Sequence, residues 1–473
     1  MKGGFFVTSP QENSAVSRSR NTVHVAPPSL NGFTTVKVRI IKKPLAISTH
    51  IALTRRLVGI RGTTQRNFVL TLTEPNFTLT IRHYRSGQHI MRNDAELLDH
   101  ILNHIDNGTT DLGDEDWYEP VENYASQDRF DAELRLMRRL PIPFCPVAAL
   151  PEPGSYVARS SAGVPLVVVR GLDGTIRAFR NACRHRGMQL ADGSGCTKIF
   201  RCTYHGWAYR LDGQLEYIPH EQGFPDINKD QNGLVPVHGV HIQSGLVFVT
   251  QDEPIGPGAL ESLPDLLTDD QIVFDSDESQ DDINWKLTAE GTLEGYHIKP
   301  THPESFYPYG YDNLNVIEMQ GPNVRVCFPF RRIEKLRDVP RENLSLDRMV
   351  TLVNRIFPFA SVTRLAQHYS VTFAEPESPT RTRYFSYRLT LPNPEGGVAT
   401  DEALARARKD VSFLSDTGNK EDAKVVSDIQ AAIGSGANTH YLFGRFESAI
   451  GHLHKNLAEY LEQLARYEKS NSR

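Results

Sequence analysis

The sequence predicts an α+β chain: a compact all-β domain, then a mixed domain of antiparallel sheet and helix. Three observations carry this. Between about 139 and 252, short apolar runs alternate with turn signals. "VPLVVVRGLDGTIRAF" and "WAYRLDGQLEYI" read as hairpins turned at Asp173-Gly174 and Asp212-Gly213, and "HGVHIQSGLVFVT" as another pair of strands. Beyond residue 283 strand-rich text runs to 396 and includes a long hairpin, "SVTFAEPESPTRTRYFSYRLTL". Helical periodicity then closes the chain near 401–413 and 421–467, where Ile450, Leu453, Leu457, Leu461 and Leu464 make one apolar stripe.

Taken in order, residues 1–90 form a basic extension with thirteen Lys or Arg against Glu12 and Glu74, although the whole chain has a net charge of −5. Three readings stay open for it: a start site really at Met91, a targeting segment, or a functional domain. Residues 91–138 read as a helical segment. "NDAELLDHILNHIDNG" has Asn93 as cap, Glu96 three residues on and Gly108 as stop, with Leu97, Leu98, Ile101, Leu102 and Ile105 at helical spacing. A second helix near 127–139 ends at Pro141 and Pro143. The all-β domain occupies 139–252, a proline- and acid-rich linker 253–282, and the mixed domain 283–473.

Composition narrows the function classes. The 473 residues, 39% of them hydrophobic, suffice for two or three domains with a sizeable core. No apolar run approaches the ~20 residues of a membrane span, and "MKGGFFVTSPQENS" lacks an apolar signal core. Neither membrane nor nucleic acid is an expected partner. Only five cysteines occur, three of them within twenty residues. That clustering speaks against a disulfide framework and for a metal or redox site in a reducing, cytoplasmic setting.

The cluster is "NACRHRGMQLADGSGCTKIFRCTYHGW", in which Cys183 and His185 precede Cys202 and His205 by sixteen intervening residues. Two close Cys/His pairs on adjacent loops suit either a zinc ion or a [2Fe-2S] cluster with cysteines on one iron and histidines on the other. The flanking Gly187 and Gly206-Trp207, on hairpins of an all-β domain, do not suit a zinc knuckle. The pattern "CRHRG…CTYHGW" closely resembles the Rieske domain of the Rieske non-heme iron oxygenases. Respiratory Rieske proteins carry two further cysteines as a bracing disulfide. Met188 and Tyr204 stand in those places here, which implies a lower-potential cluster of the oxygenase type. Cys196 is left as a structural residue.

Downstream lies "NWKLTAEGTLEGYHIKPTH", with His297 and His302 five apart and Pro300 expected to break the helix between them. Such a pair suits a facial two-His-one-carboxylate iron site. The stretch is similar to the catalytic-domain signature of the Rieske oxygenase α subunits, so the resemblance covers most of 91–470. It implies a helix-grip (START/Bet v1-like) fold with an antiparallel sheet and a long C-terminal helix. It implies Fe(II) held by His297, His302 and an aspartate from "NKEDAKVVSDIQ", where Asp422 matches better than Glu421 or Asp428. It also implies a catalytic role for Glu294, where the family usually has an aspartate linking the mononuclear iron to the [2Fe-2S] cluster of a neighbouring subunit. Glutamate there resembles the carnitine monooxygenase branch. Glu290 followed by Gly291 departs from the family, which has an acid followed by Asn.

The expected function is the oxygenase component of a Rieske mono- or dioxygenase. Electrons come from NAD(P)H through a separate reductase or ferredoxin, O2 is activated at Fe(II), and a small aromatic or quaternary ammonium compound is hydroxylated or dealkylated. The implied assembly is a homotrimer or α3β3. The other function class is a Rieske electron-transfer or redox-sensing protein with a degenerate second domain, and a complete second iron site separates the two. "SFYPYGYDN" crowds Phe306, Tyr307, Tyr309 and Tyr311 behind His302, as a cation–π cage or as plain wall and core.

Overall fold

The computed structural model describes residues 91–393 and 399–471, and before them four short strands. Those four (His24–Val25, Thr34–Lys37, Phe68–Thr73 and Thr78–His83) pair as an antiparallel sheet within a separate unit, Met1–Gln88. The three readings of residues 1–90 otherwise fall outside the described residues.

From His89 onward the chain forms one compact unit. The helix Asp94–Asn107 begins on an Asn93/Glu96 capping box and stops at Gly108 in the left-handed region, φ 61°. Its buried Leu97, Leu98, Ile101 and Leu102 pack with Val316, Cys327, Val350 and Leu352. The helix Gln127–Arg138 follows.

Three small antiparallel sheets make the β-rich part. One orders Gly193–Cys196, Ser155–Ser161, Val164–Arg170 and Ile176–Arg180. The second orders Phe200–Arg201, Ala208–Tyr209 and Leu215–Tyr217. The third orders Gly239–Gln243, Leu246–Thr250 and Ile142–Pro146. Cys196 lies exposed on the first of these, its Sγ 3.8 Å from the Pro153 carbonyl, not in the packed structural setting expected.

A seven-stranded antiparallel sheet follows, ordered Val273–Asp281, Arg381–Thr390, His368–Ser378, Ala360–Arg364, Val350–Ile356, Asn323–Pro329 and Val316–Gln320. The C-terminal helix Ser448–Asn471 buries Ile450, Leu453, Leu457 and Leu464 in a core shared with this sheet and with Leu246, Val247 and Phe248 of the β-rich part. This is the expected antiparallel sheet with a long C-terminal helix.

Two boundaries differ from expectation. The linker ends at about 272, because Val273–Asp281 is already the sheet's edge strand. Its acidic residues are exposed there and pair across the ladder, Asp277 with Arg388 and Glu278 with Arg383. That exposure removes the apolar alternation that would have marked a strand. Nor is 421–467 one helix. The helix Gly418–Ala432 ends in a tight turn with Gly436 at φ 72°, and His440–Phe443 then pairs with Trp117–Pro120. Among the described residues no helix is long and apolar enough to cross a membrane.

Candidate active site

Cys183–Met188 and Cys202–Trp207 form two loops built the same way. In each the glycine N–H (Gly187, Gly206) donates to the cysteine carbonyl at 2.8 Å, and the cysteine N–H donates to the following residue's carbonyl (Met188, Trp207) at 2.8 Å. Both glycines lie near φ 77°, a region that a side chain would strain. The loops face each other: the His185 and His205 ring centroids are 4.7 Å apart, and His185 stacks on Trp207 at 5.0 Å. Cys183 and Cys202 are buried among Phe179, Phe200, Trp207 and Tyr209, whereas His205 is exposed. Tyr209, for which spacing gave no signal, has its hydroxyl 3.2 Å from Cys183 Sγ and accepts the Arg184 N–H at 2.9 Å. Burial, His205 and Arg186 all hold the His185 pKa down, which favours the neutral ring a metal ligand needs.

The donor set fits a two-iron cluster better than a single ion. Among the described residues the sets whose ligand atoms all lie within 4.8 Å of one another are elsewhere, at His297/His302/Asp422 and His100/His104/Asp111. A tetrahedral zinc ion would draw all four Cys/His ligands that close.

The second centre is assembled from distant segments. Asn284 caps the helix Trp285–Gly291 by accepting the Lys286 N–H, and its amide donates to the Tyr124 and Pro379 carbonyls at 3.0 and 2.8 Å. Trp285 Nε1 and Lys286 Nζ both reach Glu133, at 3.0 and 2.9 Å, and all three side chains are buried. The "NWK" motif is thus an anchor that seats the helix Trp285–Gly291 on the Gln127–Arg138 helix. His297 and His302 bracket the single turn Ile298–Thr301. Pro300 sits inside this turn without breaking it, because the first N–H groups of a helix have no intrahelical acceptor to lose.

Asp422, on the helix Gly418–Ala432, brings Oδ1 to 2.9 Å from His302 Nε2 and 3.7 Å from His297 Nε2. His302 is fully buried, and its Nε2 meets Asp422 Oδ1 without the alignment of a regular hydrogen bond. A buried ring nitrogen converging with a carboxylate oxygen and a second imidazole is the geometry a cation fills. The far nitrogens are held from outside. Glu421 Oε2 lies 2.6 Å from His302 Nδ1 and accepts the Ser305 hydroxyl at 2.6 Å. Burial works against charge on His302, but Asp422 and Glu421 outweigh it and raise its pKa. Glu294 contacts His297 Nδ1 and accepts the Tyr296 and His297 N–H groups. Asp428 points away and pairs with Lys424. At the far end of the helix that carries Asp422, Gln430 Oε1 accepts the Asn284 N–H at 2.7 Å, tying that helix to the segment of the two histidines.

Glu421 entered the sequence reading only as a rival ligand, and Ser305 and Glu447 not at all. Burial, with Glu294 and Glu290 nearby, pushes Glu447 up to about 7. The departure at Glu290 has a structural account: it accepts the Tyr124 hydroxyl at 2.7 Å and lies 2.8 Å from His454 Nε2. Of the four aromatics, Phe306 alone meets the centre, at 4.6 Å from the His302 ring. Its ring fills the space where a side chain on Gly418 would be, so the helix Gly418–Ala432 starts on glycine. Tyr307 and Tyr311 instead flank the chain's own Arg331, each at 5.3 Å, and Tyr309 is exposed.

A model of the Rieske [2Fe-2S] domain matches residues 141–231, and one of the ring-hydroxylating α-subunit catalytic domain matches 270–463. The chain carries both domains of the Rieske ring-hydroxylating α subunits. It is 32% identical over 201 residues to the carnitine monooxygenase oxygenase subunit of Escherichia coli K12, covering 40% of this chain and 53% of that protein. It is 36% identical over 162 residues to the glycine betaine monooxygenase oxygenase subunit of Chromohalobacter salexigens, covering 33% and 36%. The chain thus spans about half, or less, of the curated relatives it matches. The fold is that of a quaternary ammonium Rieske monooxygenase solved with L-carnitine (TM-score 0.61, 20% identity, 73% of this chain and 96% of that one). It is equally that of naphthalene 1,2-dioxygenase from Rhodococcus sp. (TM-score 0.60, 20% identity, 77% and 97%).

Proposed function

We propose that this chain is the oxygenase component of a Rieske mono- or dioxygenase. In this reading Cys183, His185, Cys202 and His205 hold a [2Fe-2S] cluster, and His297, His302 and Asp422 hold Fe(II). The observation that carries it is the convergence of His302 Nε2, His297 Nε2 and Asp422 Oδ1 in one partly buried cluster. A degenerate second domain in a mere electron carrier has no reason to keep that arrangement.

When bound, the cluster supplies single electrons and the ferrous iron supplies reductive activation of O2. The chain's own part is positional. The two loops bury the sulfur end and leave His205 at the surface, where a partner can approach. Glu294 and Glu421 fix the Nδ1 sides of His297 and His302, which leaves both Nε2 atoms toward Asp422. Phe306 sets an apolar ring against His302. A reducing, cytoplasmic setting suits the five unpaired cysteines.

The substrate class is a small quaternary ammonium or aromatic compound, in keeping with the relatives' carnitine, glycine betaine and naphthalene names. A reductase or ferredoxin fed by NAD(P)H docks near the exposed Arg184, Arg186, Lys198 and Arg201. Arg186→Glu should slow cluster reduction several-fold, and added salt should slow the wild type; a salt-independent rate removes this docking site. A homotrimer or α3β3 would bring His205 of one subunit to Glu294 of the next.

The deciding experiment is turnover with a reductase, scoring product against NADH for quaternary ammonium and aromatic panels. Coupled product from either class supports the reading. Cluster reduction and reoxidation without product, in iron-loaded protein across both panels, would make the chain a carrier.

A further inference from the structure

Apart from the two centres, a third set of ligand-type side chains converges. His100 and His104 stand at i and i+4 of the helix Asp94–Asn107, on one face, and Asp111 follows the helix's glycine stop. Asp111 Oδ1 lies 2.8 Å from His100 Nε2 and 3.0 Å from His104 Nε2, and the two ring nitrogens are 3.1 Å apart. The rings meet edge to face, with centroids 4.6 Å apart.

The atoms that point away are held by outside partners. His104 Nδ1 is 2.8 Å from Thr109 Oγ1. Asp111 Oδ2 accepts the Ile317 N–H at 2.8 Å, and the Asp111 N–H donates to the Asn315 carbonyl at 3.2 Å. Such partners on far atoms aim the near ones, as they do around bound metals. The helix itself is fixed by its buried leucine and isoleucine face, so the ring positions are set before any ion arrives.

We propose that His100, His104 and Asp111 bind one divalent cation of the zinc type and fasten the amino-terminal helix to the outermost strand, Val316–Gln320. Two imidazoles and a carboxylate suit zinc. Ligands about 2.0–2.1 Å from a tetrahedral ion stand roughly 3.3 Å apart, so the three atoms need to part by only a few tenths of an ångström. The His100 and Asp111 side chains keep 27% and 21% exposure, which leaves a path for a water as fourth ligand. The competing occupant is protons alone, with both Nε2–H groups donating to Oδ1.

The test uses the full chain, cluster-replete, with the substitutions His297→Ala and Asp422→Ala to disable the other mononuclear set. Zinc uptake is measured by equilibrium dialysis with metal analysis, and melting is followed with and without zinc. We expect one zinc per chain and a melting temperature several degrees higher with zinc. Adding His100→Gln or Asp111→Asn should weaken uptake at least tenfold and abolish the zinc-dependent melting shift. Thr109→Val should weaken uptake by roughly 10–100-fold without touching a ligand. No uptake in the parent, or equal uptake after His100→Gln, leaves a proton-linked triad and overturns the site. His100 is only half-buried, so its variant decides the matter even if Asp111→Asn fails to fold.

Discussion

The two iron-type centres are built by opposite strategies. The Cys/His site takes its four proposed ligands from two adjacent loops whose shape is set by their own backbone hydrogen bonds and two left-handed glycines. The His/His/Asp site brings two histidines together with an aspartate more than a hundred residues away, aligned by anchors outside the three: Asn284, Lys286, Glu133 and Gln430. A local site depends on its loops, whereas a composite site depends on the packing of the whole catalytic part. The two should therefore fail independently.

The sharpest way to break that comparison is to remove one ligand at a time. Cys202→Ser should abolish the cluster's visible absorbance and its electron paramagnetic resonance signal while the His/His/Asp site still takes up iron. Asp422→Ala should do the reverse, with product formation lost completely in both. If either substitution empties both centres, they are not independent. Glu421→Gln probes the composite centre one step out. It keeps the side chain's size but weakens its hold on His302 Nδ1, and iron affinity should fall about 10–100-fold with the cluster spectrum unchanged. Unchanged iron affinity would mean that Glu421 is a surface carboxylate that happens to lie close.

Glu294 tests whether the two centres communicate. Glu294→Gln keeps the length but removes the charge that orients His297; Glu294→Asp keeps the charge but shortens the reach. Both variants should retain cluster and iron yet lose roughly tenfold or more of product formation. In a single turnover of pre-reduced protein, cluster oxidation coupled to product should slow. Wild-type rates in both variants would reduce Glu294 to a backbone cap for Tyr296 and His297.

What was legible in the sequence follows the same division. The four proposed cluster ligands lie within twenty-three residues, so spacing, flanking glycines and the family resemblance pointed to them together, and Asp-Gly turns marked the neighbouring hairpins. His297 and His302 stood out through the resemblance of their stretch to the family's catalytic-domain signature. Asp422 had to be chosen among three acids on one helix, because nothing local says which acid faces inward. The holders Glu421, Ser305 and Tyr209 act only through tertiary contact, and Glu290 looked like a departure until His454 appeared beside it. The His100/His104/Asp111 set did have a local signal, i,i+4 histidines with an acid after the cap, but the helix's apolar periodicity explained the segment without it. The edge strand Val273–Asp281 was hidden because exposed acids carry no apolar alternation.

The smallest effect expected on catalysis, and a separate check on the packing that supports the composite site, concerns His454. It is buried, with Nε2 2.8 Å from Glu290 and Nδ1 3.3 Å from Glu119, and Tyr124 closes the group. Burial opposes charge on the ring, but Glu119 and Glu290 outweigh it and raise the pKa from 6.5 to about 9. Glu119 is moved the other way, to about 2, as His454, Asn123 and Trp117 overcome burial. A pKa raised by folding means that the folded chain holds the proton more tightly. The stabilisation from His454 is therefore complete below about pH 6.5 and fades as pH rises through about 9. That from Glu119 is present above about pH 4.5 and fades as pH falls toward 2. His454→Gln should thus lower the melting temperature by several degrees at pH 6, and the gap to wild type should narrow steadily toward pH 9.5. Turnover at 25 °C should change less than twofold, because His454 touches neither centre. A melting gap independent of pH would mean that the ring is neutral throughout, and that the Tyr124–Glu290–His454 group holds the helices together by hydrogen bonds without charge.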